Sequence, residues 1–443
     1  MSGKGKPAAE GPRDARDFAI AIIRDVVWKR QALDGVLERI GADAGFRALA
    51  PADRGLVRAL ATAASRGLGL IRKVLSARLA SGMPGDAGSF EPVMIAGVAQ
   101  ILFLDVPDYA AVNTSMDKLK ADRRAERYAK LGNAVLRAIA REKDAILAAA
   151  DPLRDNTPGW LAERWVATYG EETARAIAAA HLNEPPLDLS VKADAEGWAA
   201  RLGGLVLPTG SVRLAGARGA IPDLDGFAEG GWWVQDAAAA LPARLLAVRP
   251  GLRVLDLCAA PGGKTAQLAA AGAAVVAVDR SPQRMKRLSE NLARLHLAAE
   301  VHAVDALSFT AEPFEAILLD APCSATGTIR RHPDTAWNKT LADIASLTDL
   351  QAKLIDKAWG LLAPGGRLVY ATCSLEPEEG ERQISAFLAK SREARLIPID
   401  DASVGNRGEM ISQEGFLRAL PHHLNEFGGC DGFFAAVLEK TRA

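Results

Sequence analysis

The sequence has 443 residues, and its 54 Lys and Arg are matched by 54 Asp and Glu, so the formal net charge is zero. This balance argues against a histone-like or arm-like nucleic-acid binder, which would be strongly basic. Hydrophobic residues make up 49% and charged residues 24%, values that are typical of a globular protein and exclude general disorder. At roughly 150 residues per domain, the length predicts about three domains.

Cysteine usage and apolar runs indicate the compartment. The four cysteines, at 258, 323, 373 and 430, are too few and too scattered for a disulfide framework, and no two form a Cys-x-x-Cys pair. The N-terminus lacks the apolar core of a signal peptide, and no apolar run reaches the ~18 residues of a membrane helix. We therefore expect a reduced, cytoplasmic, monomeric protein without a metal site or a membrane partner.

The N-terminal third reads as helical. Residues 1–13 are small, polar and interrupted by Pro and Gly, which predicts disorder. From 14 to 150, apolar residues recur at i, i+4 spacing. Examples are Phe18, Ile22 and Val26, then Leu56 and Leu60, and then Leu131, Val135 and Ile139. Gly and Pro breaks at 81–88 and 106–107 separate the helices, so we predict an all-helical domain over 14–150. Residues 1–150 hold 24 Lys and Arg against 17 Asp and Glu, and the remainder holds 30 against 37.

A small mixed middle domain, linking or RNA-binding, is predicted over 151–235. Pro152 and Pro158 mark a linker at 149–160, and helical residues 159–182 follow. Short strand-like runs come next, at 187–191, 204–207 and 231–234. Trp232 and Trp233 could stack on bases, although burial in a core is the commoner fate of such a pair.

Residues 236–443 alternate strands and helices, which predicts a parallel, doubly wound sheet. The predicted strands are 252–257, 274–279, 300–305, 316–320 and 367–372, and the runs 416–420 and 433–439 predict an antiparallel hairpin at one edge. An acidic residue closes the apolar run of four of these strands, namely Asp256, Asp279, Asp305 and Asp320. Ligands bind at the carboxyl ends of such strands, so the four carboxylates predict a nucleoside-like ligand.

A glycine pair, Gly262-Gly263, opens the helix that follows the first strand of this sheet. Small residues let the backbone approach a ligand, and the helix N-terminus supplies N–H donors. The pattern Gly-x-x-x-x-Gly-Lys of a P-loop is absent, which favours an adenosyl compound over ATP. Asp279, about 20 residues further on, is placed to accept hydrogen bonds from ribose hydroxyls.

Two cysteines follow neighbouring predicted strands. Cys323 lies in Asp-Ala-Pro-Cys-Ser and Cys373 in Tyr-Ala-Thr-Cys-Ser. Neighbouring strands lie ~4.8 Å apart, so both thiols would open onto one crevice. A single cysteine is more often a small buried hydrophobe, but two in matching loops favour a covalent thiolate nucleophile.

These stretches closely resemble the RsmB/NOP family of S-adenosylmethionine-dependent RNA (cytosine-5)-methyltransferases. The matching motifs are VLDLCAAPGGKT (254–265), AVDRS (277–281), DAPCSATGTIRRHPD (320–334), YATCSLEPE (370–378) and DGFFAAVLEK (431–440). The helical region is similar to NusB domains through ADRGLVRAL (52–60), VPDYAAVNTSMDKLK (106–120) and LGNAVLRAI (131–139). The resemblance covers nearly the whole chain, strongly after residue 230 and weakly between 185 and 230. It implies a Rossmann-like catalytic domain and, with the NusB-like domain, 16S rRNA as the substrate.

The resemblance also implies residue roles. Cys373 is the nucleophile that adds to cytosine C6, and Cys323 assists product release. Asp320 lies between cofactor and base, where its protonated form would meet the charge that develops on the ring, and Lys264 belongs to the same site. The implied cofactor-binding residues are Cys258, Ala259, Ala260, Pro261, Gly262, Gly263, Lys264, Asp279, Arg284, Asp305 and Asp320.

Basic and histidine-containing stretches give further expectations. Arg330, Arg331 and His332 follow the Cys323 loop and are predicted to contact RNA phosphates. The run 280–287 is equally compatible with a solvated helix face. His422 and His423 lack a third ligand, which favours a surface loop over a metal site.

Three alternatives to the rRNA substrate stay open at this point. The same chemistry on tRNA is the nearest, although the NusB-like domain favours rRNA. A non-catalytic RNA-binding assembly factor would need neither thiol, and a small-molecule methyltransferase would not need the helical domain.

Overall fold

The computed structural model describes residues 13–214, 216 and 219–442. The α-helices are α1 (Ala15–Lys29), α2 (Leu33–Gly41), α3 (Ala44–Ala48), α4 (Pro51–Arg66), α5 (Leu68–Ser76), α6 (Phe90–Phe103), α7 (Asp108–Ala121), α8 (Ala129–Arg141), α9 (Lys143–Ala148), α10 (Pro152–Asp155), α11 (Gly159–Tyr169), α12 (Glu171–Leu182), α13 (Ala195–Leu202), α14 (Leu241–Leu245), α15 (Gly263–Ala270), α16 (Pro282–Arg294), α17 (Thr335–Asn338), α18 (Leu341–Gly360) and α19 (Glu381–Lys390). The strands are β1 (Leu187–Val191), β2 (Leu205–Val206), β3 (Val212–Leu214), β4 (Trp232–Val234), β5 (Arg253–Leu257), β6 (Ala274–Val278), β7 (Glu300–His302), β8 (Phe314–Asp320), β9 (Leu362–Thr372), β10 (Ala394–Ile397), β11 (Leu417–Ala419) and β12 (Phe433–Lys440). Among the described residues, no helix combines the length and apolar character needed to cross a membrane.

The chain forms two compact units. The first, here called the helical unit, comprises the residues up to Leu182 together with His332–Asn338. The second, here called the sheet unit, comprises Asn183–Arg331 and Lys339–Ala443. This division differs from the predicted segments 14–150, 151–235 and 236–443.

The helical unit packs around α6, which is apolar on nearly every side and almost wholly buried, as expected of a central helix. The predicted face of α1 is confirmed, because Phe18, Ile22 and Val26 are all buried against this core. Leu131, in contrast, lies at the start of α8 and is 39% exposed. The predicted disorder of 1–13 falls outside the described residues except for Arg13, whose guanidinium donates to the Asp43 carboxylate at 2.6 Å.

The stretch 149–160 belongs to the helical unit and is not a free linker. Leu153 of α10 is fully buried. The Asn156 side chain donates to the Arg66 carbonyl at 2.6 Å and accepts from the Leu70 N–H at 3.1 Å. Gly69 permits this packing, because a Cβ there would lie 2.5 Å from the Asp155 carbonyl oxygen. The two prolines therefore mark a tight turn that is fixed by tertiary contacts.

The segment His332–Asn338 completes the helical unit although it is distant in sequence. Helix α2 has Ala32 at its N-cap and so has no side-chain cap of its own. The Asp334 carboxylate supplies one by accepting from the Leu33 N–H at 3.1 Å. Asn338 donates to the Gln31 carbonyl at 3.2 Å. These bonds satisfy backbone groups that a bare helix start would leave unpaired.

The sheet unit contains a small antiparallel sheet of order β2-β3-β1-β4, in which β1 pairs with both β3 and β4. Strand β3 was not predicted. Arg213 of β3 donates two hydrogen bonds to the Asp188 carboxylate, each at 2.6 Å, and reaches the Phe427 and Gly429 carbonyls. These contacts join the small sheet to the rest of the sheet unit.

The large sheet has the order β10-β12-β9-β8-β5-β6-β7, with β11 paired to β12. Strands β5 to β9 are parallel, which confirms the predicted Rossmann-like fold. The predicted antiparallel pairing of β11 with β12 is also confirmed. Its placement at the edge is wrong, because β12 lies between β9 and the unpredicted strand β10. The two faces of the sheet are buried in separate apolar clusters.

Candidate active site

The site lies where the order of the parallel strands reverses. The chain continues from β5 outward through β6 and β7, and then returns to β8 and β9 on the other side of β5. Ligands of doubly wound sheets bind at such a switch point. A cavity of about 250 Å³ lies there. It is lined by Cys258, Ala260, Asp279, Arg280, Arg284, Asp305, Ala306, Asp320, Ala321, Pro322, Cys323, Ala325, Leu350, Leu354 and Cys373.

The turn after β5 contributes only part of its length to this wall. Of the residues predicted there, Cys258 and Ala260 line the cavity, whereas Ala259, Pro261, Gly262, Gly263 and Lys264 do not. Gly262 has φ +101°, and a Cβ there would lie 2.7 Å from Cγ of Leu288. This glycine is therefore required by the packing of the turn against α16, whatever it contributes to ligand approach.

Cys258 is not a third reactive thiol. Burial, with the nearby charge of Asp279, raises its pKa to about 12. A thiol with so high a pKa is a poor nucleophile at neutral pH.

Asp256 is not one of the ligand-facing carboxylates, contrary to the sequence prediction. Strand β5 continues through Leu257, so Asp256 lies inside the strand and is fully buried. Its Oδ2 accepts from the Thr265 hydroxyl at 2.6 Å, while Oδ1 has no partner. Burial raises the pKa of Asp256 to about 7, against the lowering effect of the Thr265 hydrogen bond.

This buried carboxyl gives a pH-dependent stability. In the unfolded chain an aspartate ionises near pH 3.9, whereas the folded chain retains the Asp256 proton up to pH about 7. The unfolded state therefore binds fewer protons in this range, and stability is lost as the pH rises from about 4 to about 7. The difference between the two pKa values corresponds to a loss of roughly 4 kcal/mol in the free energy of unfolding.

We expect Asp256→Asn, which mimics the protonated form, to match the wild type in free energy of unfolding near pH 4 and to exceed it at pH 7.5. Urea titrations over this range measure the difference. Parallel stability profiles for the two proteins would contradict the assignment.

The other strand-end carboxylates do face the cavity. Asp279 follows β6 and is almost fully buried; its Oδ1 accepts from the Ser281 N–H at 2.9 Å and its Oδ2 from the Ala260 N–H at 3.3 Å. Arg284 donates to the Ala260 carbonyl and lies 3.8 Å from the Asp279 carboxylate. Asp305 follows β7 and is exposed, and its Oδ1 accepts from the Leu307 N–H at 2.8 Å. Both carboxylates are thus fixed by backbone donors while they line the cavity.

Asp320 ends β8 and is paired with Lys264. The Lys264 ammonium donates to Oδ2 of Asp320 at 2.8 Å and lies 4.8 Å from the centre of the Phe433 ring. In this pair Lys264 supplies the hydrogen bond and Asp320 accepts it. Lys264 itself is almost buried and reaches the cavity through Asp320.

The two thiols meet, as the neighbouring strands predicted. Strands β8 and β9 are parallel neighbours, with Asp320 beside Ala371. The Sγ atoms of Cys323 and Cys373 lie 3.4 Å apart, and both line the cavity. The hydrogen bond to Cys373 and burial raise the pKa of Cys323 well above that of a free thiol. Either sulfur could be the donor of this contact.

The predicted RNA-binding run is used for internal contacts. Arg330 is 1% exposed; it donates to the Asp236 carboxylate at 3.0 Å and to the Gly428 carbonyl at 2.7 Å. Arg331 is partly buried, 3.8 Å from Asp431. His332, in the helical unit, lies 3.0 Å from the Asp34 carboxylate. Arg330 is therefore wrong as a phosphate contact, because burial and acidic partners occupy its guanidinium.

Of the predictions for the tryptophan pair and the histidine pair, one is confirmed and the other is wrong. Trp232 and Trp233 are both buried, and their indole N–H groups donate to the Asp225 carbonyl and the Gln235 side chain. The core interpretation of this pair is confirmed. The surface loop predicted at His422 and His423 is wrong, because His423 is only 9% exposed and burial lowers its pKa to about 4.

The chemistry of the cavity wall fits S-adenosylmethionine. This cofactor presents a ribose diol, an adenine amine, an ammonium group and a sulfonium, all of which donate hydrogen bonds or carry positive charge, together with one carboxylate. Asp279, Asp305 and Asp320 supply acceptors and negative charge on three successive strand ends. Arg280 and Arg284 provide cations for a carboxylate on the same wall. The fold and the site together define an S-adenosylmethionine-dependent methyltransferase.

Comparison with known proteins gives the family. The model of the 16S rRNA methyltransferase RsmB/F family matches residues 243–439, and the NusB family model matches residues 13–141. A ribosomal RNA small subunit methyltransferase B from Klebsiella pneumoniae is 37% identical over 446 residues, covering 96% of this chain and 98% of the relative. Its counterpart from Pseudomonas syringae is 39% identical over 414 residues, covering 88% and 90%. The chain therefore belongs to the 16S rRNA methyltransferase RsmB/F family.

Solved structures share this fold. The crystal structure of PH0851 is similar with a TM-score of 0.75 at 25% identity, covering 98% of this chain and 100% of that one. A methyltransferase homolog from Pyrococcus horikoshii has a TM-score of 0.55 at 28% identity, covering 67% of this chain and 98% of its own.

Proposed function

We propose that this protein methylates C5 of a cytosine in 16S rRNA, through a covalent bond between Cys373 and C6 of the base. The observation that carries the proposal is the pair of thiols 3.4 Å apart on the wall of an acid-lined cavity. A methyltransferase that modifies an amine or a hydroxyl needs no thiol, because those atoms are nucleophiles already. A ring carbon has to be activated, and a thiolate can do this by addition.

The residues of the site divide this work. Addition of the Cys373 sulfur to C6 breaks the C5–C6 double bond and leaves C5 enamine-like and nucleophilic. S-adenosylmethionine, held by Asp279, Asp305 and the turn after β5, supplies an electrophilic methyl group. The base must be extruded or single-stranded to reach the thiol, as for other enzymes that act on a base.

The Lys264–Asp320 pair meets the charge that addition creates. Electron density moves toward N3 and the exocyclic amine of the cytosine. Asp320 lines the cavity and accepts a hydrogen bond from the Lys264 ammonium 2.8 Å away. A proton passed from Lys264 through Asp320 to N3 would neutralise the developing charge, which is ordinary general acid catalysis.

Release reverses the addition. Once C5 carries the methyl group, a base removes the C5 proton, the electron pair re-forms the C5–C6 double bond, and the C6–S bond breaks. Cys373 leaves as a thiolate, and the Cys323 thiol can donate its S–H to that sulfur. The 3.4 Å between the two sulfurs is within reach of such a hydrogen bond.

RNA binding is proposed for the helical unit. The surplus of basic residues in 1–150 favours phosphate contact there, and the match to the NusB family is consistent with it. The named relatives act on small-subunit ribosomal RNA, which favours rRNA in the cytoplasm over tRNA. A non-catalytic assembly factor would not need the two thiols.

We expect the purified protein to transfer tritiated methyl from S-adenosylmethionine to 16S rRNA or to small ribosomal subunits. Bisulfite sequencing of the product should show one protected cytosine. If tRNA is the preferred methyl acceptor, the proposed rRNA substrate is wrong. If the label is found on any atom other than C5, the proposed chemistry is wrong. Parallel reactions with naked rRNA and assembled subunits identify the form that is recognised.

A further inference from the structure

A buried carboxylate, Glu379, lies behind the two thiols and contacts both of the loops that carry them. Glu379 is fully buried. Its Oε1 accepts from the Ser324 backbone N–H at 2.9 Å, and its Oε2 accepts from the Ser374 hydroxyl at 2.6 Å. The Ser324 hydroxyl also donates to Oε2. Ser324 directly follows Cys323, and Ser374 directly follows Cys373, so one side chain joins the two cysteine loops.

The position of Glu379 is itself fixed from several directions. Gln351 of α18 donates to Oε1 at 3.0 Å and also to the Pro322 carbonyl at 2.9 Å. The Tyr370 hydroxyl donates to the Glu379 carbonyl oxygen at 2.8 Å, and the Thr372 hydroxyl does so at 3.3 Å. Burying a carboxylate is costly unless hydrogen bonds compensate it. Here the hydrogen bonds come from the two cysteine loops, through Ser324 and Ser374, and from Gln351 of α18.

We propose that Glu379 is a positioning residue that holds the Cys323 loop and the Cys373 loop together and thereby sets the separation of the two thiols. The pairing of β8 with β9 extends to Asp320 and Ala371, so it ends before either cysteine. Beyond that point the Gly327 N–H donates to the Cys373 carbonyl at 3.0 Å and the Leu375 N–H to the Thr326 hydroxyl at 3.0 Å. Glu379 adds a further link, to the backbone of one loop and to a hydroxyl of each. The proposal rests on the proposed function, in which both thiols act on one base.

The test uses Glu379→Gln in the full-length protein, with Glu378→Gln as the matched control. The amide is isosteric, its oxygen can still accept, and both serine hydroxyls can rotate to accept from its N–H. Hydrogen bonds to the charged group are about twice as strong as neutral ones, so the link is weakened without loss of shape. The Glu378 side chain pairs instead with Arg382 at 2.8 Å.

Two measurements separate positioning from simple stability. The first is the effective concentration of the Cys323 and Cys373 thiols relative to each other. It is obtained by equilibrating the folded protein with glutathione, where the two thiols and one oxidised glutathione give one protein disulfide and two reduced glutathiones. We expect Glu379→Gln to lower it at least tenfold. The second is turnover, with kcat at least tenfold lower and KM for RNA within twofold. Glu378→Gln should leave both unchanged.

An effective thiol concentration within twofold of the wild type would overturn the proposal. If Glu379→Gln does not fold, Ser374→Ala removes one donor from one loop and should lower the same quantity at least threefold; no change would overturn the proposal equally. If the wild type methylates nothing, the proposed function fails, while the glutathione equilibrium still decides the role of Glu379.

Discussion

Cys373→Ser is expected to abolish methyl transfer, with turnover lower by ~10³-fold or more, while S-adenosylmethionine still binds with an affinity within about twofold. A serine hydroxyl is far less nucleophilic than a thiolate at neutral pH. The hydrogen bonds that fix Asp279 and Asp305 come from backbone groups and do not involve Cys373. Tritium transfer to 16S rRNA measures the first quantity, and calorimetric titration with the cofactor measures the second.

Cys430→Ala is the matched control for this experiment. Cys430 is fully buried, contacts the Leu420 carbonyl at 3.5 Å and does not line the cavity. Its replacement should leave turnover close to that of the wild type. If Cys373→Ser keeps more than a few per cent of the activity, the nucleophile assignment is wrong, and the Cys323 thiol becomes the one to test.

Features fixed by the ends of parallel strands could be predicted from the sequence. A parallel sheet brings the carboxyl ends of its strands to one edge, so the sequence predicts that Asp279, Asp320 and the two cysteines share a crevice. Their shared place in the cavity wall follows from local pattern plus one rule of topology. Asp256 failed this reasoning because it is the penultimate residue of β5, which ends at Leu257, and is fully buried inside the strand.

Features that depend on distant partners could not be predicted in this way. Arg330 stands in a basic run, yet its partner Asp236 is 94 residues away in sequence, and only the folded chain shows that the charge is used internally. Glu379 follows a family-like motif, but its significance comes from Ser324, 55 residues earlier. Local sequence carries no record of such long-range counter-charges and hydrogen bonds, so a run of charges is weak support for a binding surface.

Cys323→Ala is expected to accumulate a covalent protein–RNA adduct that survives denaturing electrophoresis. In the wild type the Cys323 sulfur lies 3.4 Å from the Cys373 sulfur, within reach of a hydrogen bond to it. Addition and methylation need Cys373 and the cofactor, so they proceed without Cys323. Elimination needs the C6–S bond to break, and the departing sulfur then lacks the hydrogen bond that stabilises it. We therefore expect a burst of about one methyl group per protein followed by slow turnover.

The double variant Cys323→Ala/Cys373→Ser identifies the linkage, because the adduct should vanish when the second thiol is removed. The adduct must also carry label from tritiated S-adenosylmethionine, which shows that the block comes after methylation and not before it. Cys323→Ala with wild-type turnover and no retarded band on the gel would show that Cys323 has no part in release. The short distance between the thiols would then reflect only the packing of two loops that Glu379 holds together, and the thiol hydrogen bond would have no role in catalysis.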